Sequence, residues 1–187
     1  MNIKHRILTF LIEHKEESFS MHQLSQLIHI DYKLIHTSIK KLFEDHSLTI
    51  ENFKNQKRCS FKNQFNEDIF SVEYQRRTLI LKKKEFRAIY DYLQKLPEQF
   101  ILLLFGSHVK GTATKHSDFD FLLISPEEIV KKVEEKLSIL PFNIHLTPVT
   151  YKSFIRMLKS KEFSVVSEVL KKNIIFFGIE DYYRLIQ

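Results

Sequence analysis

Two of the three glycines in this 187-residue chain fall in one stretch, FGSHVKGTATKHSDFDFLLIS, as Gly106 and Gly111. Gly106 follows an apolar run, residues 100–105, and lets the chain turn sharply while backbone N–H groups approach a polyphosphate with no side chain in the way. Ser107, at the start of a following helix, can donate its hydroxyl to a phosphate that the helix N-terminus also favours. Lys110 adds positive charge one turn on, and Gly111 is placed to end the helix in the left-handed conformation. Asp118 and Asp120 are two residues apart, so on a strand both carboxylates leave the same face. Two hard carboxylates on one face suit Mg²⁺ when substrate phosphates supply the remaining ligands. The chemistry this set can do is phosphoryl or nucleotidyl transfer.

Such residues need rigid neighbours. The sequence predicts a strand over 100–105, a short helix from Ser107, a loop, and a second strand over 119–124 with the aspartates at its mouth. Residues 142–147, Phe-Asn-Ile-His-Leu-Thr, read as a third strand, in which Asn143, His145 and Thr147 alternate onto one face. That strand contains no acid. Residues 151–159 and 163–172 read as two helices, with Lys152, Arg156 and Lys159 on solvated faces, phosphate contact being the alternative.

Gly106-Ser107, Gly111 and Ser117-Asp118-Phe119-Asp120 resemble the signature of the polymerase-β-like nucleotidyltransferases, especially their minimal prokaryotic form. The resemblance covers residues 98–180 and includes residues 173–178, similar to the strand that closes many minimal members. It implies a mixed-sheet domain with flanking helices, with ATP and Mg²⁺ (or Mn²⁺) as substrate and cofactor. Asp118 and Asp120 would be metal ligands and catalytic, and Gly106, Ser107, Lys110, Gly111 and Ser117 would hold the nucleotide. Catalysing members usually carry a third acid on a neighbouring strand as metal ligand and base. Here His145 stands as the candidate base, an imidazole being suited to proton transfer near neutral pH, although it cannot replace a carboxylate's charge beside a second metal ion.

Upstream, residues 4–13 carry Ile7, Leu8, Leu11 and Ile12 at helical spacing. Ser20 is the N-cap expected of a second helix, with Met21, Leu24, Leu27 and Ile28 as its apolar stripe. Asp31 caps a third, residues 32–45, with Leu34, Ile35, Ile39, Leu42 and Phe43 inward. Two extended pieces, 47–53 and 57–62, flank a turn at 54–56. Three helices and a basic-tipped hairpin resemble the winged helix-turn-helix family over residues 1–65. The resemblance implies double-stranded DNA as partner, with the third helix in the major groove. Lys33, Lys40, Lys41, Lys57 and Arg58 would contact backbone phosphates, while His36 and Thr37 would reach base edges. The alternative is a packing or dimerisation module with solvated charges. Six of the nine histidines lie in this segment, at no metal-ligand spacing.

Residues 66–95 read as helix within a connecting segment 66–97 that Pro97 closes; its basic outer face reads as a solvated surface, with a lane for nucleic acid or nucleotide phosphates as the alternative. The expected organisation is therefore α+β: a winged helix over 1–65, the connector, and a transferase domain over 98–187. Ten bases and ten acids balance within residues 1–75, so the formal net charge of +6 lies wholly in residues 76–187. Net charge alone thus gives no argument for nucleic acid at the N-terminal end. Cys59 is the only cysteine, which excludes an intrachain disulfide and suits a reducing compartment. No apolar run reaches membrane-spanning length, and the first residues do not read as a signal peptide, so a cytoplasmic protein without membrane contact is expected. The functional expectation is nucleotide transfer, of AMP to a hydroxyl acceptor on a protein or small molecule, coupled to DNA binding. The alternatives are a nucleotide-sensing, catalytically impaired regulator, or an antitoxin-type partner of an RNase toxin; a homodimer is compatible with each.

Overall fold

A computed structural model describes residues 2–160 and 164–187. The chain divides into two compact units, Met1–Glu73 with Gln187, and Tyr74–Ile186.

In the first unit, α1 (Ile3–Glu13), α2 (Met21–Ile28) and α3 (Tyr32–Glu44) precede a hairpin of β2 (Leu48–Phe53) and β3 (Gln56–Phe61). The two-residue strand β1 (Phe19–Ser20) pairs with β3, giving an antiparallel sheet of order β1-β3-β2. Sequence-local chemistry sets the helix starts. Ser20 and Gln23 form a reciprocal capping box, and Asp31 Oδ1 accepts from the Lys33 N–H at 2.9 Å, satisfying donors that the helix itself leaves unpaired. Ile7, Leu8, Leu11, Leu24, Ile35, Ile39, Leu42 and Cys59 close one core. The stripe on α3 is narrower than expected: Leu34 and Phe43 are 49% and 48% exposed. The face that packs comprises Ile35, Ser38, Ile39 and Leu42, at the three- and four-residue intervals one helix face allows. Leu27 of α2 is likewise exposed.

The helix expected over 66–95 is two helices, α4 (Glu67–Ile80) and α5 (Lys84–Leu93). From Ile80 to Phe86 an unbroken helix would turn roughly 240°, carrying Phe86 off the face that Ile80 buries. The break at residues 81–83 resets the phase. The boundary between the units falls inside α4, and α5 contributes Phe86, Ile89 and Leu93 to the core of the second unit.

That unit is built on a four-stranded sheet of order β6-β5-β4-β7, from β4 (Ile101–Leu104), β5 (Phe119–Ile124), β6 (Ile144–Val149) and β7 (Ile174–Phe177). β4 pairs antiparallel with both β5 and β7, while β5 and β6 are parallel. A parallel pair needs a crossover, which α7 (Glu127–Ser138) supplies. Leu102, Leu104, Phe121, Leu123 and Phe176 face the core shared with α5 and α7. By alternation, Asp120, Leu122 and Ile124 leave the other face. The short α6 (Ser107–Lys110) joins β4 to the loop before β5, and α8 (Tyr151–Lys159), α9 (Val165–Lys171) and α10 (Ile179–Ile186) follow β6 and β7. The helix expected over 163–172 is thus seen from Val165; Phe163 lies outside the described residues. No described helix is long and apolar enough to cross a membrane.

Candidate active site

The buried strand β4 stops at Phe105, whose N–H donates to the Asp120 carbonyl at 3.0 Å. Gly106 then turns with φ 72° and ψ −149° and caps α6. A Cβ added there would lie 2.2 Å from Asp120 Oδ2. Glycine is therefore required twice at this position, for its backbone conformation and for the carboxylate packed against it. Ser107 and His108 open α6, where backbone N–H groups have no acceptor within the helix. Gly111 ends α6 in the left-handed region, its N–H donating to the Ser107 carbonyl.

The parallel pairing decides what surrounds the aspartates. Asp120 lies in register with His145, and His145 Nδ1 is 3.4 Å from Asp120 Oδ1. One step earlier, Asn143 Nδ2 donates to Asp118 Oδ1 while the Phe119 N–H donates to the Asn143 carbonyl at 2.9 Å. The face that holds both carboxylates thus receives an amide and an imidazole from β6 and no third acid. Thr147 sits opposite Leu122, further along the strands. Glu127 and Glu128 begin α7 beyond the other end of β5, roughly 20 Å of strand from Asp118. Among the described residues, no group of three or more His, Cys, Asp or Glu side chains is placed to hold a metal ion.

Two of the expected nucleotide ligands already have partners. The Lys110 ammonium is 2.5 Å from Glu168 Oε1 of α9. Ser117 Oγ accepts from the Thr114 N–H at 2.9 Å, and Ser117 N–H donates to the Thr114 carbonyl, closing the loop before β5. Glu168 could not have been found from sequence, being separated from Lys110 by 58 positions. His108 likewise carries no local signal in the sequence. Its ring stacks on Phe119, with centroids 4.7 Å apart and planes 7° apart.

In the first unit, Lys33, His36, Thr37, Lys40, Lys41 and Lys57 are all exposed. Thr37 Oγ1 donates to the Lys33 carbonyl at 2.9 Å, so its hydroxyl proton is used within α3. His36 and Lys57 are brought together around a hollow of about 610 Å³ that Tyr32, His22 and Gln56 also line. Arg58 turns elsewhere: its guanidinium donates to the Ser18 carbonyl and lies 5.6 Å from the Phe53 ring.

The chain has known likenesses. The family described as "Nucleotidyltransferase domain" matches residues 87–176, a span that holds Gly106, Ser107, Asp118, Asp120 and His145. Over 74 residues the chain is 34% identical to a probable protein adenylyltransferase, MntA, of Haemophilus influenzae. The aligned segment covers 36% of this chain and 65% of that relative. The motif and the family match within the second unit, together with the similarity to MntA, support a nucleotidyltransferase part in this chain.

Proposed function

We propose that this chain transfers AMP from ATP to a hydroxyl acceptor, with Mg²⁺ or Mn²⁺. The observation that carries the reading is the pair of carboxylates, Asp118 and Asp120, on one face at the mouth of β5, with Asp120 packed against the Gly106 bend. That donor set fits one hard divalent ion whose shell is completed by phosphate oxygens. When bound, the ion would neutralise charge developing on the phosphates. Gly106 and Ser107 would hold the triphosphate at the start of α6. The acceptor oxygen attacks the α-phosphorus, the α–β anhydride bond breaks, and pyrophosphate leaves with the electron pair. His145 would take the acceptor's proton, and Asn143 would hold Asp118 in orientation through the amide hydrogen bond. The name of the relative, a protein adenylyltransferase, supports AMP as the transferred group and a protein as acceptor. Labelling of an acceptor by α-labelled ATP, lost in Asp118→Ala/Asp120→Ala, tests this. Equal labelling by the double variant would sink it.

For the first unit the proposed role is DNA binding as a winged helix. Three capped helices, the hairpin after them and the exposed row Lys33, His36, Thr37, Lys40 and Lys41 on α3 support it. Lys57 extends the basic surface, whereas Arg58, held by Ser18, leaves the proposed contact set.

A second reading is favoured by β6. With Asn143 and His145 where an acid would stand, the transferase part would sense a nucleotide without turning it over, and would regulate DNA or a toxin partner. A mobility shift that responds to ATP–Mg²⁺, in a protein that transfers nothing, would select this reading.

A further inference from the structure

A cleft of about 890 Å³ opens on the second unit, within the roughly 300–1,000 Å³ range of ligand pockets. Its aromatic wall lies on the α5 side of the sheet, where Phe86 and Phe119 pack, and the cleft meets the edge of the carboxylate face at Asn143. Its walls are aromatic. Phe119 is stacked against His108 and lies 5.6 Å from Phe142, centroid to centroid. The Phe86 ring meets His108 edge-on at 5.2 Å. His108 Nε2 donates to the Ser117 carbonyl at 3.4 Å, and Nδ1 is buried with no hydrogen-bond partner among the described residues. Stacking, more than polar pairing, therefore holds this wall.

The rim is basic. Lys83 and Lys115 are exposed and line the cleft together with one acid, Glu85. Neither lysine has an ion-pair partner among the described residues, and Lys83 Nζ stands 5.8 Å from the centre of the Phe86 ring. A bare anion would make no use of the aromatic wall, and a neutral aromatic ligand would make none of the lysines. A flat ring carrying a phosphate uses both.

We propose that this cleft is a second nucleotide site, in which the base of a nucleoside phosphate stacks against Phe142 and its phosphate lies between Lys83 and Lys115. Neither Asp118 nor Asp120 lines the site, and it does not rest on transfer activity. It is coupled to that face through Asn143, which lines the cleft and donates to Asp118.

The test is calorimetric titration of the full chain with AMP in EDTA, which silences any metal-dependent donor site. One equivalent is expected to bind both the wild type and Asp118→Ala/Asp120→Ala. Phe142→Ala should weaken binding about tenfold through lost stacking. Lys83→Ala/Lys115→Ala, a change at exposed positions that leaves the core intact, should weaken it about tenfold or more. Saturation by either AMP or the trinucleotide pApApA supports the site, and the tighter of the two identifies a free nucleotide or a chain end as the source. Ribose 5-phosphate binding as tightly as AMP overturns the proposal, as does loss of binding in the carboxylate variant or unchanged affinity in the lysine pair. Absence of AMP binding would also overturn it, while leaving the metal-dependent labelling assay free to succeed.

Discussion

The mouth of β5 and the outer face of α3 both present side chains capable of chemistry, but the chain holds them in different ways. At the mouth of β5 the backbone does the holding. Phe105 bonds to the Asp120 carbonyl, Gly106 makes room for the Asp120 carboxylate, and β6 delivers Asn143 and His145 in register. On α3 the candidate residues are long, solvated side chains on an otherwise ordinary amphipathic helix. Preorganised groups lower a barrier, whereas an exposed lysine row can attract a polyanion without specifying a sequence. The two regions should therefore fail differently when altered.

The largest expected effect is on the preorganised side. Removing both carboxylates in Asp118→Ala/Asp120→Ala should lower nucleotide transfer by at least about 10³-fold, read with α-labelled ATP. Gly106→Ala comes next. Its methyl group would meet Asp120 Oδ2 at a backbone angle unsuited to a side chain, costing about 1–3 kcal/mol in urea unfolding and displacing the carboxylate. Wild-type stability and transfer in that variant would show that neither the bend nor the carboxylate requires glycine.

His145→Asp sharpens the same region, because it places an acid in register with Asp120. Under the transfer reading, turnover should rise about tenfold or more as a stronger metal site forms. Under the sensing reading, it is the change that would start turnover. A fall in activity would show that the imidazole as base outweighs any gain from an added metal ligand.

On α3, Lys40→Ala/Lys41→Ala should leave stability within about 0.5 kcal/mol of wild type. It should reduce the salt dependence of DNA binding by about one unit of slope per lysine. An unchanged slope would remove these lysines from the interface and favour the packing alternative.

The smallest effect concerns pH. Burial raises the Asp68 carboxyl, but hydrogen bonds and charge from Lys4 and His5 more than offset it, leaving it below the usual value. A depressed carboxyl contributes stability above its unfolded pKa of about 3.9 and loses it as pH falls through the lower folded value. Asp68→Asn should therefore flatten the acid limb of stability below about pH 4, by no more than about 1 kcal/mol. An acid limb identical to wild type would assign the pair no net role.

Much of the site was legible because its signals are local. A glycine after an apolar strand, a second glycine four residues after Ser107, and two aspartates at strand spacing are read within sixteen residues. The caps at Ser20 and Asp31 are equally local and appear as expected. The break at residues 81–83 was obscured because each half keeps a helical period, and only the phase between Ile80 and Phe86 betrays it. Leu34 and Phe43 were misplaced because an apolar side chain near a buried face need not lie on it, and surfaces retain apolar residues.

By itself, the sequence determined which groups could meet a phosphate and a metal, since residue type and a two-residue spacing fix chemistry and face. It also determined that β6 brings no acid, because none is present to bring. Tertiary structure alone decided the pairings across distance: Lys110 with Glu168, Asp118 with Asn143, Asp120 with His145, and His108 stacked on Phe119. Strand register and helix packing set these contacts, and both are chosen by the burial of the whole core rather than by any local run of residues.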